Sequence, residues 1–91
     1  MSNTNNKENK IIKVQLQIEE INEICKILNS FDSEFDIESH RTYIDGKDKN
    51  SWKLLDFNNP LKIHCLYKEN EIENIEKKLS KFLFKNKNKI T

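Results

Sequence analysis

Ile12, Val14 and Leu16 alternate with Ile11, Lys13, Gln15 and Gln17, and an apolar period of two residues marks a strand with one buried face. The period then lengthens. Ile18, Ile21, Ile24, Cys25 and Leu28 recur at three- and four-residue steps, which predicts a first helix ending near Asn29 and Ser30. Glu19, Glu20 and Glu23 fall in its early turns, where the helix dipole favours anions. Phe35 and Ile37 oppose Glu34, Asp36 and Glu38, so Glu34 to Ser39 reads as a strand with one wet face. His40 and Arg41 mark a turn, and Thr42 to Asp45 is a short returning strand. Gly46, the only glycine, marks a point of positive φ or close backbone approach. Asp48 or Asn50 caps a short helix carrying Trp52, Leu54 and Leu55, which stops before Asn58-Asn59-Pro60 because residues preceding proline avoid the helical region. Leu61, Ile63, Cys65 and Tyr67 alternate with Lys62, His64, Leu66 and Lys68 as a further strand. Ile72, Ile75, Leu79, Phe82 and Leu83 share one face of a last helix, with Glu73, Asn74, Lys77, Lys78 and Lys81 outside it.

The predicted order is βαββαβα. Strands with one polar face favour a mostly antiparallel sheet, and the apolar helix faces are all buried if they cover its other side. The expected fold is therefore α+β, an open-faced sandwich with a four-stranded sheet and helices on one face. Residues 1–10 are polar and rich in asparagine, and residues 85–91 are basic without periodicity. Both are expected to be flexible, which leaves 11–84 as the folded domain.

With 91 residues there is room for one core. Sixteen basic against fifteen acidic side chains leave a formal charge of +1, so no strong field draws the chain to nucleic acid or an acidic membrane. No apolar run approaches 18 residues and the N-terminus lacks an apolar signal region, so a cytoplasmic protein is expected. Cys25 and Cys65 fall within apolar stripes and read as buried free thiols. They and His40 and His64 match no zinc-site spacing, so neither metal nor cofactor is expected.

The middle of the chain resembles the regulatory segment of the histidine-containing phosphocarrier (HPr) family of the bacterial sugar phosphotransferase system. Ile44 to Leu61 reads IDGKDKNSWKLLDFNNPL. It aligns without a gap to the family pattern VDAKSILGLLSLDLSKPI, with identity at Asp45, Lys47, Leu55, Asp56 and Pro60. Phe31 to Ile37 resembles the family's link from first helix to second strand, and the likeness extends over Ile11 to about Phe84. The resemblance implies the open-faced sandwich already expected. It also implies a phosphoryl-accepting histidine at the start of the first helix, followed two residues later by arginine and then proline. Counting back from Phe31 puts Gln17 at the histidine position, with Glu19 and Glu20 where arginine and proline would stand, after a shortened connection from the first strand. Gln17 has no nucleophilic nitrogen and the glutamates repel phosphate, so transfer there is expected to fail. The implied function is a non-catalytic regulatory or protein-interaction module, monomeric, whose partner is a phosphotransferase-system protein or a transcriptional regulator.

The same resemblance makes Lys47, Asp48 and Lys49 regulatory or interaction residues, and the enrichment of tryptophan at interfaces adds Trp52. Asp48 stands at the family's regulatory serine, where its carboxylate mimics a phosphoserine; the plainer role is an N-cap, contributing on the order of 1 kcal/mol. Lys49 and Asn50 replace apolar residues of the family's docking surface. Trp52 is either an exposed anchor or, as lone tryptophans more often are, a buried cover for the sheet. His64 reads as a solvated surface histidine, and His40 beside Arg41 as an anion grip or, more commonly, a solvated turn. Two other functions remain open. One is an active phosphocarrier using another acceptor. The other is a small nucleic-acid-binding module using Lys77, Lys78, Lys81 and the basic tail, although Glu69, Glu71, Glu73 and Glu76 in front of those lysines argue first for a dipole-matched helix.

Overall fold

The computed structural model describes residues 8–84, so residues 1–7 of the flexible segment expected at 1–10, and the tail expected at 85–91, lie outside the described residues. Four strands form one antiparallel sheet in the order β1-β4-β2-β3: β1 Glu8–Val14, β2 Glu34–Ser39, β3 Thr42–Asp45 and β4 Leu61–Tyr67. Helix α1, Ile21–Asn29, connects β1 to β2, and α2, Ile72–Lys78, follows β4. Between β3 and β4 lies a 3-10 helix, Lys49–Leu54, and two shorter 3-10 turns occupy Ile18–Glu20 and Ser80–Phe82. The fold is α+β with an open sheet. The segment predicted as the second of three α-helices takes the tighter 3-10 form, as short helical pieces commonly do.

Register explains why the sheet has one dry face. Ile12 pairs with Ile63, Ile63 with Ile37 and Ile37 with Ile44, so four isoleucines line up across the strands. All four are buried. β-branched side chains fit a pleated surface, and each contributes roughly 1.5–3 kcal/mol by leaving water. Ile21, Ile24, Cys25 and Leu28 of α1, Ile75 of α2, and Trp52, Leu55, Leu79 and Phe82 join them in a single core. The alternate positions, Ile11, Lys13, Lys62, His64, Asp36, Glu38, Tyr43 and Asp45, point to the other face.

Several boundaries differ from the sequence reading. β1 begins at Glu8 because Glu8, Asn9 and Lys10 pair with Tyr67, Leu66 and Cys65, and Lys10 forms an ion pair with Glu76 of α2. It ends at Val14, although Leu16 beyond it is still buried. Ile18 does not join the apolar stripe of α1: it sits in the leading 3-10 turn and is 66% exposed. The last helix stops at Lys78. Beyond it the chain runs back along the free edge of β1, where Gln15 N–H donates to the Phe82 carbonyl (2.8 Å) and Phe84 N–H to the Lys13 carbonyl (2.9 Å). Leu83 bridges Val14 there and stays exposed. This covers an edge that would otherwise present unpaired backbone groups.

Gly46 meets the second of its two expectations. Its φ is not positive, but a Cβ there would lie 2.9 Å from Ile37 Cδ1 and 3.0 Å from Leu28 Cδ1. The positive φ belongs to His40, at 56° in the β2–β3 turn. No helix among the described residues is long and apolar enough to cross a membrane.

Candidate interaction site

At the N-terminal end of α1, Gln17 is in extended conformation immediately before the 3-10 turn. Its backbone N–H donates to the Glu20 carboxylate at 2.9 Å, and its carbonyl accepts from Glu20 N–H at 2.8 Å. The anion that a helix start attracts is thus supplied from within the chain. Gln17 opens onto a groove of about 560 Å³ lined by Gln15, Leu16, Ile18, Glu19, Glu20, Phe57 and Asn58. The chemistry here is amide, carboxylate and apolar surface. The groove lining contains no histidine.

Trp52 packs behind Phe57, one of the residues that line this groove. It is fully buried, its Nε1–H donates to the Gly46 carbonyl at 2.8 Å, and its ring stacks on Phe57 at 6.4 Å between centroids. Of the two roles raised for Trp52, the structure shows the buried one. It holds the 3-10 helix against the β3 end and cannot meet a partner directly. Leu54 on the same helix is 70% exposed instead, because the 3-10 repeat of three residues turns it away from the face shared by Trp52 and Leu55.

Asp48 is the N-cap of that helix. Its carboxylate accepts from Asn50 N–H (3.2 Å) and from the Ser51 hydroxyl (2.8 Å), the bonds that make aspartate a favoured cap. Lys47 is half-buried. Its Nζ donates to the Phe31 carbonyl at 2.6 Å and lies 5.8 Å from the Phe35 ring centroid, tying the α1–β2 link to the end of β3. Lys49 is exposed. Lys47 and Lys49 line a second, shallow hollow with Asn22, Cys25, Lys26 and Asn29. The predicted residues therefore divide: Trp52 lies in the core against Phe57, whereas Lys47 and Lys49 border a depression separate from the Gln17 groove.

Both thiols are buried and unpaired. Burial pushes the Cys25 thiol up and the Cys65 thiol up to about 11, which leaves little thiolate for chemistry. Among the described residues no group of three histidine, cysteine, aspartate or glutamate side chains converges as a metal site would.

Three polar clusters carried no signal in the sequence. His64 is not a solvated surface histidine: its Nε2 is 2.8 Å from Glu38 Oε1, and both side chains are about three-quarters covered or nearly so, with 32% and 22% exposed. Tyr43 packs on His64 at 5.7 Å between ring centroids. The hydrogen bond from His64 holds the Glu38 carboxyl below its ordinary value. His40 is bonded as well, Nε2 to Asp56 Oδ2 at 3.0 Å; Asn58 N–H first and His40 second hold the Asp56 carboxyl low.

The third cluster is a clamp built on Glu71. Its carboxylate accepts from Asp32 N–H (3.1 Å), Ser33 N–H (2.9 Å) and the Ser33 hydroxyl (2.6 Å). The buried Ser33 oxygen in turn accepts from Lys68 N–H at 3.3 Å. Burial opposes ionisation of Glu71, but the hydrogen bonds from Ser33 and Asp32, with Lys68 nearby, outweigh it and hold the carboxyl below its ordinary value. Glu71 precedes α2 rather than lying on its acidic front. Compared with known proteins, the chain matches no protein-family model, no curated protein and no solved structure.

Proposed function

We propose that this chain is a cytoplasmic, non-catalytic interaction module on a phosphocarrier-like (HPr-like) frame, which binds a protein partner and transfers no phosphoryl group. The observation that carries the reading is the start of α1. Gln17 stands where the resemblance calls for the acceptor histidine, and its own N–H is already occupied by the Glu20 carboxylate. An incoming phosphoryl dianion meets an amide without a free nucleophilic pair and two glutamates, Glu19 and Glu20, in place of cationic or neutral neighbours.

The sheet covered by helices on one face supports the frame, as does the 3-10 helix beginning at the capped Asp48. Partner contact falls on the exposed rim of that helix, where Leu54 provides apolar surface beside Lys49 and Lys53. Asp48 acts there as a cap, and its charge is a fixed feature of the rim.

The test is transfer of labelled phosphate from phosphoenolpyruvate through the general phosphotransferase enzyme, with an intact phosphocarrier as control. The module takes up no label. Acid-labile label on this chain would overturn the reading and make His40 or His64 the acceptor to replace next.

A further inference from the structure

The groove at the start of α1 has a composition that selects its occupant. Two carboxylates, Glu19 and Glu20, and three carboxamide side chains share its wall with Leu16, Ile18 and Phe57, and no lysine, arginine or histidine lines it. Its volume of about 560 Å³ lies within the range of about 300–1,000 Å³ usual for ligand sites.

The negative charge of this wall is not answered among the described residues. Their lysine ion pairs go to Glu76, Asp32 and Glu23. Lys81, whose ammonium feels the charge of Glu20, is bound to Glu23 at 2.7 Å. Glu20 accepts only a neutral donor, the Gln17 N–H at 2.9 Å, which leaves its charge in place, and Glu19 is exposed. Apolar surface adjoins the carboxylates: Ile18 is 66% exposed, and Phe57 is half-buried with its ring stacked on Trp52.

An arginine side chain answers both parts of this lining. Its methylene stem covers apolar surface while its guanidinium stays in a polar environment. Its five N–H donors suit a wall rich in acceptors, and an aromatic ring attracts its charge. An anionic segment is repelled by the two glutamates, and a purely apolar one leaves them without a partner. We propose that this groove takes an arginine, together with the apolar residue beside it, from a segment of the protein partner. This rests on the protein-binding role proposed above and adds the partner's chemistry to it. Phosphoryl label on the chain would overturn that role whatever the groove binds, so the two fail separately.

The experiment is amide NMR of the full chain at low salt, titrated with the capped tripeptide acetyl-Leu-Arg-Leu-amide to about 5 mM, with acetyl-Leu-Glu-Leu-amide as the control of opposite charge. The arginine peptide binds with a dissociation constant on the order of 1 mM. Its shifts are confined to Gln15 to Glu20, Phe57 and Asn58, Trp52 emission changes with them, and added salt weakens the binding. The double variant Glu19→Gln, Glu20→Gln keeps an acceptor for the Gln17 N–H and binds roughly three- to tenfold more weakly, since an exposed ion pair is worth a factor of up to about five. The double variant Glu69→Gln, Glu73→Gln removes the same charge elsewhere and binds as wild type does. An arginine peptide that moves no groove resonance would overturn the proposal, as would a glutamate peptide that moves them equally or two double variants that weaken binding alike. So would groove resonances of the free chain that shift with protein concentration or in Lys85→Gln, Lys87→Gln, Lys89→Gln, because the chain's own lysines would then be the occupant.

Discussion

Replacing Glu71 by alanine removes one side chain and orphans three donors. The backbone N–H groups of Asp32 and Ser33 and the Ser33 hydroxyl all end on its carboxylate, at 3.1, 2.9 and 2.6 Å, and Ser33 is fully buried. A hydrogen bond to a charged group contributes about 1.5–3 kcal/mol, and a buried donor left unmade costs about 1–3 kcal/mol. Water reaches part of the site, so the Glu71→Ala loss should be about 2 kcal/mol rather than the sum. For a domain of this size that lowers Tm by roughly 8–16 °C.

The pH dependence follows in sign. The folded-state pKa of Glu71 is depressed, so its stabilisation is present above the unfolded value of about 4.3 and is lost as pH falls through the lower folded value. Urea unfolding of wild type and Glu71→Ala should therefore show curves well apart at pH 7 that converge in acid. Ser33→Ala and the double variant complete a cycle whose coupling should be at least about 1 kcal/mol. A Glu71→Ala loss below about 0.5 kcal/mol, the range of ordinary surface substitutions, would refute the clamp. A loss that persists unchanged below the titration would refute its electrostatic account.

Trp52→Phe should cost about 2–4 kcal/mol in urea unfolding, from a smaller ring and a Gly46 carbonyl left with only the weak Cys25 thiol donor; in wild type the buried Trp52 should emit at short wavelength and shift red on unfolding. Gly46→Ala should cost about 1–3 kcal/mol, because the new methyl sits within 3.0 Å of Ile37 and Leu28 side chains and the core must shift. NMR titration should find the Glu38 carboxyl below its ordinary value, and His64→Phe should return it upward by removing the hydrogen bond that holds it down.

β2 and β3 were legible in the sequence to the residue and β4 to within one, β2 and β4 because their apolar positions alternate and β3 because it returns from the His40-Arg41 turn. The misplacements have a common physical origin. Ile18, Leu54 and Leu83 were assigned to helical stripes from α-helical spacing. Ile18 and Leu54 lie instead in tighter 3-10 turns and Leu83 in an edge bridge, where that spacing no longer keeps a residue on the inner face. Glu8 to Lys10 joined β1 because backbone pairing with β4 needs no apolar side chains.

The candidate site was legible in part. Asp48 has the capping role that its residue type suggests, and Gln17 lies at the start of the helical segment where the count from Phe31 put it. The Glu71 clamp joins residues 38 positions apart, and His64 finds Glu38 across 26. Such polar contacts are set by strand order and register, which no local pattern records. Lys47, expected as a regulatory or interaction residue, likewise donates to the Phe31 carbonyl across a contact that no local pattern records.

The most direct test of the central claim compares wild type with a variant in which Gln17→His, Glu19→Arg and Glu20→Pro restore the acceptor group, both offered label from phosphoenolpyruvate through the general phosphotransferase enzyme. The account predicts no label on wild type and acid-labile label on the variant, because under the proposed phosphocarrier-like frame the acceptor chemistry at the start of α1 is what the wild-type chain lacks. Label on wild type would contradict the non-catalytic reading, and a folded variant that accepts none would contradict the frame itself.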